Sequence, residues 1–191
     1  MKKIILASTS PRRKKLLEQI GLRFKAVASG YEENMDLKMK PADLARFLSS
    51  GKARAVAKKY RNAIIIAADT FIALKNEILG KPGTGKQARI TLKKISGRTL
   101  EVITGLTVID AAANKEISRA VITKVSVKKL GNDEIDAYVR TGEPLDKAGA
   151  FGIQEKGAVF IKKIDGDYSN VVGLPLGELF SILKKLDHKI Y

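Results

Sequence analysis

Apolar and polar positions alternate along this chain in an order that predicts strand and helix by turns. Residues 4–8 (IILAS) are a short continuous apolar run, the pattern of a buried strand. Ser10 then suits a helix N-cap and Pro11 a first helical position, with Leu16, Leu17 and Ile20 on one side and Gly21 as the stop. Residues 24–28 read as a short strand, followed by the polar loop YEENMDLKMK. Pro41 opens a second helix whose stripe is Leu44, Phe47, Leu48, Gly51 and Ala55. Residues 63–68 (AIIIAA) predict a strand covered on both faces that stops at Asp69-Thr70, with a further strand over 71–75. Gly80-Lys81-Pro82-Gly83 reads as a loop, and a helix follows to about Ile95.

The second half begins with a turn at Ser96-Gly97-Arg98. Residues 99–109 and 117–128 alternate as two long antiparallel strands with their hairpin tip near Asn114-Lys115. Asn132 caps a helix containing Ile135, Tyr138 and Val139, and Thr141 to Gln154 read as a long loop rich in small residues. Residues 157–164 predict a strand, Asp165-Gly166-Asp167 a turn, and 175–186 a final helix. This order gives an α/β protein with a mixed sheet. A chain of 191 residues suits one domain, or one domain with two lobes.

Composition narrows the chemistry. There is no cysteine, so disulfides, thiolate metal sites and a cysteine nucleophile are excluded, which fits a cytoplasmic protein. The apolar run in MKKIILAS is too short for a secretory signal, which needs roughly 7–15 residues. No stretch approaches the ~20 apolar residues of a membrane span. The lone histidine, His188, lies in a polar tail, and without another histidine to act as base a serine-hydrolase triad is disfavoured. The net charge of +16 favours an anionic ligand. Its lysines and arginines are spread along the whole length, as in Lys58-Lys59, Lys93-Lys94 and Lys162-Lys163, whereas a DNA-binding module gathers them on one element.

Several positions carry candidate chemistry. The stretch LASTSPRR (6–13) joins a strand, a hydroxyl-rich turn and a helix start. Free N–H groups and the helix dipole favour an anion there, and Arg12 and Arg13 add forks that match phosphate oxygens. Ordinary capping with two surface arginines is the simpler alternative. Asp69 ends an apolar run, where a carboxylate either caps, pairs with a cation or holds a metal. Lys52 follows Leu48 by four residues and points with the apolar stripe, so it either snorkels outward or meets an anion. Glu32 and Glu33 are paired loop acids, one of which could help hold Mg²⁺. Residues 80–87, GKPGTGKQ, fall short of a phosphate loop, because Gln87 replaces the metal-binding hydroxyl and Pro82 removes an N–H.

Six segments in order, LASTSPRR (6–13), AADT (67–70), LGKP (79–82), SGRTLEVITG (96–105), TGEPLDKAGAFGIQ (141–154) and IDGDYSNVVGLPL (164–176), resemble the Maf family of nucleoside triphosphate pyrophosphatases. The resemblance covers nearly the full length, and AGAFGIQ with YSNVVGLPL is similar to the branch that prefers dTTP and UTP. Phe71 departs from the Val or Ile more usual there, a change of packing only. The resemblance implies a strongly twisted mixed sheet flanked by helices, in two lobes with a cleft between them. It also implies a cytoplasmic enzyme, often a homodimer, that uses a divalent cation (Mg²⁺, with Mn²⁺ or Co²⁺ as alternatives) to cut a nucleoside triphosphate into monophosphate and pyrophosphate. By motif match it implies Asp69 as catalytic acid and metal ligand, Glu33 as a second metal ligand, and Ser8, Arg12, Arg13, Lys52, Lys81 and Gln154 as substrate-binding residues. Gln154 suits either reading of a thymine or uracil edge, since an amide donates and accepts together, or support of the loop or metal. The rival reading is a nucleic-acid-binding regulator of cell division or septum formation, a role the family's naming suggests.

Overall fold

The computed structural model describes residues 2–32 and 37–188. Its elements are β1 (Lys3–Leu6), α1 (Pro11–Gln19), β2 (Lys25–Ala26), α2 (Pro41–Ala57), β3 (Ala63–Leu74), β4 (Glu77–Leu79), α3 (Gly85–Ile95), β5 (Thr99–Asp110), β6 (Lys115–Val127), α4 (Asn132–Arg140), β7 (Ile161–Asp165), α5 (Tyr168–Val172) and α6 (Leu176–Lys185). Three 3-10 turns, Glu143–Asp146, Ala148–Ala150 and Lys156–Phe160, shape the stretch between α4 and β7. The described strands form one sheet in the order β2-β1-β3-β5-β6-β7, with β4 also on β3. β1 runs parallel to β2 and β3, and every other pairing is antiparallel, so the sheet is mixed as expected.

Apolar patterning explains the layers. Along β3, Ile64, Ile66 and Ala68 pack with Leu16 and Leu17 of α1 and with Leu179, Ile182 and Leu183 of α6. The intervening Ile65 and Ala67 pack on the opposite face with Ala53 and Val56 of α2. Further along β3, Phe71 and Ala73 meet Leu44, Ala45 and Leu48 of α2. Ile72 and Leu74 belong to a separate core with Ala88 and Leu92 of α3 and Ile135 and Tyr138 of α4. One long strand thus serves two cores on the same face, one under α1 and α6 and the other under α3 and α4.

Besides Phe47 of the expected α2 stripe, which is exposed, and β4, which the pattern did not announce, three details differ from the pattern read along the chain. Residues 63–74 are a single strand, because antiparallel pairing with β5 continues unbroken from Ile64↔Asp110 to Ala73↔Glu101. Asp69-Thr70 therefore lies within β3 and not at its end. The apolar stretch 157–164 is divided, with Lys156–Phe160 winding as a 3-10 turn before β7 begins. The third difference is α5, which is too short to show a period; Asp167 caps it by accepting from the N–H groups of Ser169 (2.7 Å) and Asn170 (3.2 Å).

Candidate active site

The site is built around a gap in the sheet. β5 occupies one edge of β3 throughout, so β1 and β4 share the other edge. β1 pairs only as far as Leu6↔Ile66, and β4 begins only at Ile72↔Leu79. Residues 67–71 of β3 therefore face an opening between two strand ends, with Asp69 at its centre. This is the place beyond the carboxyl end of a parallel strand where open α/β sheets bind ligands. Leu6 leads into the Ser8–Ser10 turn on one side of the opening, and Leu79 leads into Gly80-Lys81 on the other.

The first wall is the β1–α1 turn. Ser10 caps α1 through the N–H of Arg13 (3.5 Å), and Pro11 sits at the first helical position. The first turn carries Arg12 and Arg13 and no acid, a placement that opposes the helix dipole until an anion arrives. Three hydrogen bonds to described residues anchor Arg13: its Nε donates to the Gly173 carbonyl (2.8 Å), Nη1 to Ser8 Oγ (3.2 Å) and Nη2 to Thr70 Oγ1 (3.2 Å). Ser8 Oγ also accepts from the N–H of Ser10 at 3.2 Å. With both acceptor positions engaged, the Ser8 O–H is the group left to donate to a ligand.

A cleft of about 170 Å³ opens beside this wall. It brings Arg12, Arg13, Lys81 and Gln154 together, with Thr70 on its floor and Ile153 and Gly173 beside them. Arg12, Lys81 and Gln154 are solvent-exposed, and Arg13 is half-buried. Lys147 enters the same cleft with a side chain only 12% exposed, held by Asp146 (2.9 Å) and Glu155 (3.4 Å).

Asp69 and Lys52 occupy the other face of β3. Successive strand residues point to opposite faces, so Thr70 looks into the cleft while Asp69 looks toward α2. There Lys52 Nζ donates to Asp69 Oδ1, and the two residues are 8% and 6% exposed. One anion that Lys52 meets is thus a carboxylate of the chain itself. The structure does not set Asp69 and Lys52 on the cleft wall with the arginines; it sets them at the open strand edge next to it.

Glu33 lies outside the described residues, and its neighbour Glu32 is exposed in the loop before α2. Among the described residues no three His, Asp or Glu side chains cluster as a metal cage would require. A buried Asp69 beside a cationic cleft is the donor set that suits Mg²⁺ in its usual mode, in which one or two carboxylates share the ion with substrate phosphates and water. The residues present fit such an ion.

Segment 80–87 has a structural role. Thr84 caps α3 by accepting from the Gln87 N–H (3.3 Å), Gly83 takes φ +68°, and its N–H donates to the Leu145 carbonyl (3.0 Å). Lys81 is thereby presented from an anchored loop, without any phosphate-loop wrap. Thr70, Lys147 and the Gly173 carbonyl carried no assigned role in the sequence. For Thr70 the signal was its place beside Asp69 in AADT, whereas nothing local marks the other two.

Residues 3–186 match the family model described as Maf-like protein. The chain belongs to the Maf-like family. A relative from Methanosarcina barkeri, named dTTP/UTP pyrophosphatase, is 52% identical over all of this chain and 98% of its own length. Another of the same name from Dictyoglomus thermophilum is 45% identical over 99% of this chain and 98% of its own length. Among solved structures, the Ham1 protein of Staphylococcus aureus matches this Maf-like chain with a TM-score of 0.54 at 14% identity, covering 97% of this chain and 100% of that one. At that identity the likeness shows the shared fold alone, a curled mixed sheet with flanking helices. No described helix of the Maf-like chain is long and apolar enough to cross a membrane.

Proposed function

We propose that this protein is a nucleoside triphosphate pyrophosphatase acting on dTTP and UTP. The observation that carries the reading is the convergence of Arg12, Arg13 and Lys81 on one cleft at the open strand edge that holds Asp69, in a chain about half identical, end to end, to relatives named for that activity. Three cations and the unopposed N-terminus of α1 match a triphosphate in charge.

In the proposed reaction Arg12, Arg13, Lys81 and the Ser8 O–H bind the phosphates and set the α-phosphorus against the open edge of β3. Asp69 orients the attacking water and accepts its proton as the new P–O bond forms. The bond between the α-phosphorus and the oxygen bridging to the β-phosphate breaks, and pyrophosphate leaves with the bonding pair. The cationic wall stabilises the charge that moves onto that leaving group. Lys52 holds the Asp69 carboxylate in place. A divalent cation such as Mg²⁺ (or Mn²⁺ or Co²⁺), held by Asp69 with Glu33 and phosphate oxygens, would supply further charge neutralisation and a more acidic bound water. Gln154, at the far side of the cleft, presents a donor and an acceptor to a thymine or uracil edge.

The reading extends to a cytoplasmic homodimer, supported by the absence of cysteine and by the family resemblance. The deciding experiment is a panel of nucleoside triphosphates with and without EDTA, with pyrophosphate and phosphate measured separately. Equimolar monophosphate and pyrophosphate from dTTP and UTP is the expected outcome. If every nucleotide stays intact with metal present, the proposal fails. Salt-sensitive DNA binding without turnover would favour a nucleic-acid-binding regulator instead.

A further inference from the structure

Glu143 opens the first 3-10 turn and does not line the cleft, yet its carboxylate gathers three donors. Tyr138 O–H donates to Oε1 at 2.8 Å, and the Gly157 N–H donates to the same oxygen at 3.0 Å. The Lys156 N–H donates to Oε2 at 3.0 Å. The Tyr138 oxygen in turn accepts from the Gly152 N–H at 3.3 Å. Both ends of the segment 152–157 are therefore tied to one pair of side chains, and Gln154 stands between them, facing the cleft.

The tie is close-packed. A Cβ at Gly157 would lie 2.6 Å from the Tyr138 oxygen and 2.9 Å from both N and O of Gly152. The Tyr138 ring is 5% exposed and meets Phe160 edge-on, with centroids 4.9 Å apart. Burial first, and the Glu143 carboxylate second, push the Tyr138 hydroxyl well above its ordinary range, so it stays a donor at every working pH. On the cleft side, Glu155 pairs with Lys147 at 3.4 Å and fixes the residue after Gln154. A segment whose only anchor were its own backbone would let the exposed Gln154 amide wander. Here Gly157 removes the bulk that would keep the segment ends apart, and the Glu143 carboxylate and Tyr138 hydroxyl hold them.

We propose that Glu143 and Tyr138 are positioning residues for nucleobase selection: by clamping segment 152–157 they hold the Gln154 amide at the angle that distinguishes thymine and uracil from cytosine. The proposal deepens the nucleotide reading above and rests on it.

The test uses the full-length protein and the variants Glu143→Gln, Tyr138→Phe, Gln154→Ala and Glu143→Gln/Gln154→Ala. Two quantities are measured: the ratio of kcat/KM for dTTP over CTP, and amide hydrogen exchange at Lys156 and Gly157. Glu143→Gln keeps the shape but loses the charge and one acceptor oxygen, and Tyr138→Phe cuts the tie to Gly152 together with the hydroxyl's donation to Glu143. Each should lower the dTTP/CTP ratio by roughly three- to tenfold, the worth of one oriented hydrogen bond, with the loss falling more on the KM for dTTP than on kcat. In the Gln154→Ala background, Glu143→Gln should lower the ratio no further, since the residue acts through Gln154. A ratio unchanged in both single variants overturns the proposal, as does an equal loss with and without Gln154. If the wild type releases no pyrophosphate from any nucleotide, the functional reading fails. Exchange then still decides the clamp: faster exchange at Lys156 and Gly157 in Glu143→Gln upholds it, and unchanged exchange overturns it.

Discussion

Gly105 stands directly opposite Asp69 on the neighbouring strand, and a Cβ placed there would lie 2.0 Å from the Ala45 carbonyl oxygen of α2. The missing side chain lets α2 lie flat on the sheet at that point, and two turns further along the same helix Lys52 reaches Asp69. Gly105→Ala must push backbone away from backbone, which no rotamer change relieves. We expect a loss of at least about 2 kcal/mol, read as a fall in Tm of roughly 4–8 °C. Activity should fall with it, because the helix that moves carries Lys52. A Gly105→Ala protein with wild-type Tm would contradict this account of the helix's approach.

Asp69→Asn keeps the size of the side chain and removes the charge that meets Lys52 and, in the proposed reaction, takes the water's proton. The turnover number should fall by about 10²–10³ or more, while KM for dTTP changes little, because in the proposed reaction Arg12, Arg13, Lys81 and Ser8 bind the phosphates. Steady-state kinetics with a binding titration separate the two effects. Wild-type turnover by this variant would remove Asp69 from the mechanism.

Much of this arrangement is legible in the sequence, and its gaps have physical causes. Ser10 and Pro11 mark the start of α1 by local chemistry alone, so the arginine wall is readable without the fold. Lys52 is readable as an inward lysine, but its partner lies 17 residues away on a strand, and no local pattern names it. Asp69 resembles a strand end because two polar residues follow an apolar run. Its true place within β3 depends on pairing with β5 more than thirty residues later. The stretch between α4 and β7 is hardest to read, since its path is set by positive φ at Gly142, Gly149 and Ala150 and by the long-range hydrogen bonds of Glu143.

Arg13→Lys tests whether the arginine wall depends on fork geometry or on charge alone. A lysine keeps the charge but cannot hold the Gly173 carbonyl, Ser8 and Thr70 at once while facing a phosphate. The expected result is a rise of roughly tenfold in KM for dTTP, with a smaller loss in Thr70→Ala, which removes one of the three anchors. If Arg13→Lys has wild-type KM, charge alone suffices and the three-point anchoring is incidental.

Chelation should separate folding from turnover. No cage of His, Asp and Glu is present among the described residues, so EDTA should leave the Tm of nucleotide-free protein within about 1 °C. Pyrophosphate release should nevertheless drop by at least about a hundredfold and return when Mg²⁺ is added. Undiminished hydrolysis in EDTA would show that the cationic wall and Asp69 suffice by themselves.

Asp110 offers a pH test away from the cleft. This buried carboxyl ends β5 and meets Lys2 Nζ at 2.5 Å and the N–H groups of Ala112 and Ala113, each at 3.2 Å. Burial alone would raise its pKa, but Lys2 and the two N–H groups reverse that and hold it below the ordinary carboxylate range. A carboxyl depressed in the folded state adds stability above its unfolded value, near about 4, and that stability is lost as pH falls through the folded value. Asp110→Asn should therefore lower Tm by roughly 2–4 °C at pH 7, and the gap to wild type should stay level down to about pH 5. Below about pH 4 the gap should begin to narrow, and it should close only once pH has fallen below the depressed folded value, where both proteins carry a neutral side chain. Thermal melts of both proteins from neutral to acid pH decide the matter, and a gap as wide in acid as at neutrality would mean that shape, and not charge, is what Asp110 contributes.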